Sequence, residues 1–156
     1  MKQIVSLFIF LFFIFNAFAQ DCYKMATYEF YTQSDVDNFP SGVTHITGNV
    51  YLHKSLVQNL NGLNAVTTID GFLYFYFNDL LSDLTGLSSL TSIGGYLYID
   101  GNRSLTSLAG LGNLSSVGCY LYINRNSSLT STSGLNPNMI VGGYTYLDFS
   151  SALPIN

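Results

Sequence analysis

Apolar residues recur along this chain in two patterns, and both repeat every 24 residues. Ile69, Ile93, Val117 and Val141 align, as do Leu73, Leu97 and Leu121, then Leu81, Leu105 and Leu129, then Leu87, Leu111 and Leu135. An earlier copy with one residue deleted supplies Ile46, Val50 and Leu52, and then Val57, Leu60 and Leu63. Within each copy, Val50-Tyr51-Leu52, Leu73-Tyr74-Phe75, Leu97-Tyr98-Ile99, Leu121-Tyr122-Ile123 and Tyr144 to Leu147 alternate with period two, which predicts short β-strands. Elsewhere in the copy the apolar spacing is three, as in Leu81, Leu84, Leu87, Leu90 and Ile93, and glycines punctuate it. Spacing of three drifts off a helical face, so strands and turns are expected there. One such copy cannot bury its own apolar side, whereas stacked copies share a continuous core. The expected fold is all-β: a right-handed parallel β-helical solenoid of about five 24-residue coils with a small N-terminal cap.

The rest of the chain divides around these repeats. Lys2, the apolar run Ile4 to Phe15 and the box Ala17-Phe18-Ala19 read as a signal peptide over residues 1–19. The run is shorter than the roughly 20 residues of a spanning helix, so no membrane span is expected after cleavage. Residues 20–45 hold no repeat and are assigned to the cap. Tyr28 to Tyr31 is expected as a strand, followed by a helical turn with Ser34 as N-cap and Pro40 ending it. The repeats occupy 46–150. Thr132, Asn138 and Thr145 replace apolar columns in the last copy, and 151–156 forms a tail without a cap. Two explanations are kept for this: a fragment, or a last coil that meets another surface.

Asn78, Asn102 and Asn126 form a polar column just after the strands. A carboxamide carries both donors and acceptors, so such a column can satisfy the backbone groups freed where the chain turns. Asn102-Arg-Ser104 and Asn126-Ser-Ser128 are also glycosylation sequons, but the repeat already accounts for both asparagines. The structural role is therefore preferred.

If Leu97 and Ile99 face inward, their neighbours face outward in three columns. The first is Asn49, Phe72, Tyr96, Tyr120, Tyr144; the second Tyr51, Tyr74, Tyr98, Tyr122, Tyr146; the third His53, Tyr76, Asp100, Asn124, Asp148. The first two make an aromatic strip, whose candidate ligand-binding residues are Tyr51, Tyr74, Tyr96, Tyr98, Tyr120, Tyr122, Tyr144 and Tyr146. Tyrosine offers rigid contact area with a polar tip, which suits an extracellular protein or glycan.

Composition narrows the function further. Without Lys2, four cations face nine carboxylates and no basic stripe exists, which argues against nucleic acid. No catalytic grouping, metal site or cofactor motif is legible. The one enzyme alternative is the Asp100, Asn124, Asp148 column acting as in β-helical polysaccharide-active enzymes, but no Lys or Arg stands in that column. A passive spacer is the other alternative. An ice-binding face built on Thr67-Thr68, Thr91-Ser92 and Ser115-Ser116 is a minor variant, weakened because adjacent residues cannot all face one way. Cys22 and Cys119 lie on rungs about 14 Å apart at ~4.8 Å per coil, too far for a disulfide.

The stretch Gly95-Tyr96-Leu97-Tyr98-Ile99 through Asn102, Leu105, Leu108, Gly110 and Leu111 resembles the receptor L-domain and related leucine-rich repeats of secreted Bacteroidetes-type surface proteins. The lead-in Ser34 to Pro40 is similar to the segment preceding such repeats, and the resemblance extends over about 22–150. It implies a recognition role at the cell surface without catalysis. Relatives often carry a cysteine where Val43 stands, and larger ones a C-terminal sorting domain.

Overall fold

The computed structural model describes residues 26–149. The expected signal peptide, Cys22 and the tail 151–156 lie outside these residues. Eleven short strands fall into two parallel sheets. The longer strands are β1 (Thr27–Glu29), β3 (Asn49–His53), β5 (Leu73–Tyr76), β7 (Leu97–Asp100), β9 (Leu121–Asn124) and β11 (Thr145–Leu147), and they pair in that order. Two-residue strands β2 (His45–Ile46), β4 (Thr68–Ile69), β6 (Ser92–Ile93), β8 (Ser116–Val117) and β10 (Ile140–Val141) make the second sheet. Registers keep the sequence columns together: Leu73 lies beside Leu97, Leu97 beside Leu121, and Tyr98 beside Tyr122.

Between the two sheets, Asn61–Leu63, Thr85–Leu87 and Ala109–Leu111 are single 3-10 turns, packed in sequence on one another. A 3-10 turn has three residues per turn. This explains why an apolar residue every third position stays inside, where an α-helix would have rotated it away. Leu81, Leu84, Leu87, Leu90 and Ile93 are all buried to within 1%. Each such burial contributes roughly 1.5–3 kcal/mol. At Gly86 and Gly110 a methyl group would collide with the carbonyls of Leu60 and Leu84, so glycine there sets how closely neighbouring turns approach.

The N-terminal segment is built on the plan of the repeats it covers. β1 pairs with β3, Thr27 beside Asn49, and the helix α1 (Gln33–Asp37) packs on the Asn61–Leu63 turn with Val36 fully buried. The expected N-cap Ser34 is corrected to Thr32. Thr32 is extended (φ −128°), its hydroxyl accepts from the Asp35 N–H, and Asp35 Oδ2 accepts from the backbone of Thr32 (2.7 Å) and Tyr31 (2.9 Å). Those bonds hold the Asp35 carboxyl below its ordinary pKa.

At the other end, Leu129 is still buried, but Leu135, Met139 and Val141 are only partly covered. Among the described residues no helix is long and apolar enough to cross a membrane.

Candidate recognition face

The sheet of longer strands presents its outer face as columns of stacked side chains. In the second column, Tyr51 lies on Tyr74 (4.8 Å between ring centroids), Tyr74 on Tyr98 (4.7 Å), Tyr98 on Tyr122 (4.6 Å) and Tyr122 on Tyr146 (5.0 Å). Interplanar angles of 5–15° make this a continuous face-to-face stack. The spacing is that of the strands themselves, so the rings inherit their separation from the backbone ladder. The first four are half-buried and Tyr146 is exposed.

The first column departs from expectation. Phe72, Tyr96 and Tyr120 stack equally closely (4.6 Å), yet Phe72 and Tyr96 are buried at 9% and 7% exposure, Tyr120 is half-buried, and only Tyr144 is open. Phe72, Tyr96 and Tyr120 each lie between the side chains of the rungs before and after, beside glycine corners where backbone lies against backbone. Asn49 starts this column fully buried, accepting from the Phe72 N–H and donating to Thr27. Tyr96 is therefore removed from the open binding surface.

Third-column residues bond to the tyrosine two positions earlier on the same strand. Tyr51 Oη meets His53 Nδ1 (3.2 Å), Tyr98 Oη donates to Asp100 Oδ2 (2.9 Å), Asn124 Nδ2 donates to Tyr122 Oη (2.9 Å) and Tyr146 Oη donates to Asp148 (3.5 Å). Residues two apart on a strand share a face, so these four rungs tie their own phenols, while Tyr74 meets Tyr76 ring to ring at 5.8 Å. Burial, then the Asp100 bond, raises the Tyr98 phenol pKa. Burial, with smaller contributions from Tyr51, Tyr76 and Asp100, pushes Tyr74 up to about 12.

Asp100, expected to face outward in the third column, is completely buried. Arg125 reaches back one rung, donating from Nε to Asp100 Oδ1 (2.8 Å) and from Nη2 to Oδ2, while its guanidinium lies 5.3 Å over the Phe77 ring. The reach depends on a column of left-handed residues that follows the strands: Lys54 (φ 49°), Phe77 (54°), Gly101 (71°) and Arg125 (52°). A Cβ at Gly101 would stand 2.9 Å from the Phe77 ring, so glycine leaves the gap that Phe77 and Arg125 fill from either side. The signal in the sequence is one glycine among large residues in the column Lys54, Phe77, Gly101, Arg125. Both carboxylate oxygens of Asp100 are thus bonded, to Arg125 and Tyr98, and Arg125 brings to the third column a cation that the column itself does not contain.

The asparagine column lies just inside. Asn126 Oδ1 accepts from Asn102 N (2.9 Å) and Nδ2 (3.1 Å); Asn102 Oδ1 accepts from Asn78 N (2.9 Å) and Nδ2 (3.0 Å). Asn78 Oδ1 in turn accepts from the N–H and hydroxyl of Ser55. The amides also donate to the carbonyls of Leu52, Phe75 and Ile99. Asn78 and Asn102 are fully buried and Asn126 is 2% exposed, which leaves no amide accessible for a glycan in the folded chain. Just before the strands of the second sheet, the hydroxyls of Thr67, Thr91 and Ser115 each donate to a carbonyl one rung back, which ties up one hydroxyl of each Thr/Ser pair.

Among the described residues, no group of three or more His, Cys, Asp or Glu is arranged to hold a metal ion. Comparison with protein-family models, with curated proteins and with solved structures finds no match.

Proposed function

We propose that this chain is a secreted or cell-surface recognition module, a right-handed β-helical solenoid akin to the receptor L-domain, which binds an extracellular protein and carries out no reaction. The second tyrosine column carries this reading: five rings held at one spacing, with their hydroxyl ends in a row. Ordering cost on binding is low because neighbouring rings already fix each side chain. The stack also bears on the kind of ligand. Inside the column the ring faces are occupied by other rings, and only Tyr51 and Tyr146 at its ends keep one face clear of another ring, so the column offers mainly edges and hydroxyls. A sugar that stacks on an aromatic needs an open face. Edges and phenols suit the mixed polar and apolar surface of a protein.

A passive spacer is the second reading, favoured by the hydroxyls already bonded to His53, Asp100, Asn124 and Asp148. An array of extracellular proteins and glycans, probed with the wild type and with a Tyr98→Ser, Tyr122→Ser double variant, separates the readings. Protein binding lost in the double variant, with its circular dichroism unchanged, supports recognition. Binding to neither class supports the spacer, and binding to glycans alone refutes the choice of ligand.

A further inference from the structure

The two ends of the stacked sheets differ in charge and cover. At the N-terminal end, α1 lies over the core, and Glu29, Asp35 and Asp37 surround it. Among the described residues, β10 and β11 are the edge strands of the two sheets at the C-terminal end, and residues 126–147 contain no charged residue. Ile140 is 72% exposed, Tyr144 60%, Tyr146 43% and Leu147 38%, although Ile123, which pairs with Leu147 one rung earlier, is fully buried. A depression of about 430 Å³ opens there, lined by Leu121, Leu135, Met139, Val141, Thr145 and Leu147. Edge strands of soluble proteins are usually guarded by charge, proline or a covering element, and Thr145-Tyr146-Leu147 has no charge or proline.

We infer that this end is an interface for a second copy of the chain, joined end to end about a two-fold axis. This surface takes in Tyr144 and Tyr146, the last rings of the two aromatic columns, but its partner is argued without the recognition reading above. The occupant follows from the edge itself. Tyr144 O accepts from Leu121 N, and Asp148 N donates to Ile123 O, so the even-numbered residues of this edge turn their backbone groups toward β9. Alternation then turns those of Thr145 and Leu147 to the open side. A two-fold partner brings the same strand antiparallel. With Tyr146 on the axis, Thr145 of one copy exchanges hydrogen bonds with Leu147 of the other, and the apolar depressions face each other. Tyr146 stacks on its own counterpart, which extends the ring column into the partner. Electrostatics fit this register: Asp148 falls opposite a Tyr144 hydroxyl instead of a second Asp148, and nothing else charged enters the contact. A partner bearing the acidic N-terminal end would instead place its carboxylates against an uncharged face that holds no cation to meet them.

Sedimentation velocity of residues 20–156, which contain every described sheet and core residue, tests this from roughly 1 to 200 µM. A monomer–dimer equilibrium is expected, and Ile140→Asp, whose side chain is mostly in solvent, is expected to weaken it more than tenfold while Ile140→Leu preserves it. Tyr146→Cys supplies a readout of register: a pair without direct hydrogen bonds across antiparallel strands has Cα atoms about 4.5 Å apart, within disulfide range. Oxidation should therefore yield a covalent dimer with Tyr146→Cys and none with Asp148→Cys. A chain monomeric throughout the range overturns the inference, as does a dimer indifferent to Ile140→Asp. A dimer that forms only after removal of residues 150–156 overturns it too, because that segment would then be the occupant.

Discussion

Replacing Asn102 with alanine removes a side chain that makes four hydrogen bonds at a fully buried position. The four losses differ in weight. Asn78 Nδ2 keeps its bond to Leu52 O, and Asn126 Oδ1 keeps the one from Asn102 N. The Asn78 backbone N–H loses its Asn102 acceptor, and Phe75 O loses its side-chain donor. One or two buried groups left unsatisfied at about 1–3 kcal/mol each give an expected loss of about 1–6 kcal/mol. Equilibrium urea unfolding of Asn102→Ala measures this, with the slope compared to the wild type because repeat arrays can lose cooperativity. Asn102→Ser should fall between the two, since Ser55 shows that a hydroxyl can occupy the first place in the column. A loss below about 0.5 kcal/mol would falsify the claim that this column satisfies the turn, because ordinary surface substitutions cost that little.

Other consequences are sharp enough to measure. Leu97→Ala should cost about 2–5 kcal/mol, and Tyr98→Ala, half-buried on the outer face, clearly less; equal losses in thermal unfolding would mean that the two faces are wrongly assigned. Arg125→Ala leaves the Asp100 carboxylate buried without its partner and should destabilise by about 3–5 kcal/mol, with much of the loss restored when Asp100→Asn is added; no recovery in the double variant would sink the ion-pair account. Gly101→Ala should lower stability by forcing a side chain at φ 71° toward Phe77, and an unchanged midpoint would show that the gap is not needed. The raised phenol pKa of Tyr74 means that folding favours the neutral ring, so this contribution is intact below pH 10 and is lost as pH rises through 10 toward 12. Ultraviolet titration of the wild type against Tyr74→Phe reads the shift, and a Tyr74 component ionising near pH 10 would contradict it.

The inward face was legible in the sequence because it depends on local periodicity. Alternation in Leu97-Tyr98-Ile99 and three-residue spacing from Leu81 to Ile93 are properties of single strands and single turns, and the structure buries each of these apolar residues except the outward Tyr98. The asparagine column was legible for the same reason, since every copy must turn at the same point. Burial on the outer face obeyed a different rule. Whether Tyr96 is covered depends on Phe72 and Tyr120, which lie 24 residues away in either direction and come within 4.6 Å only after stacking. Strand alternation turned Asp100 outward but could not show its burial, because its partner stands in another column and reaches it across a glycine gap. Alternation along a strand tells which way a side chain leaves the backbone. How much water it then meets is decided by the rungs above and below, and that distance exists only in the folded stack.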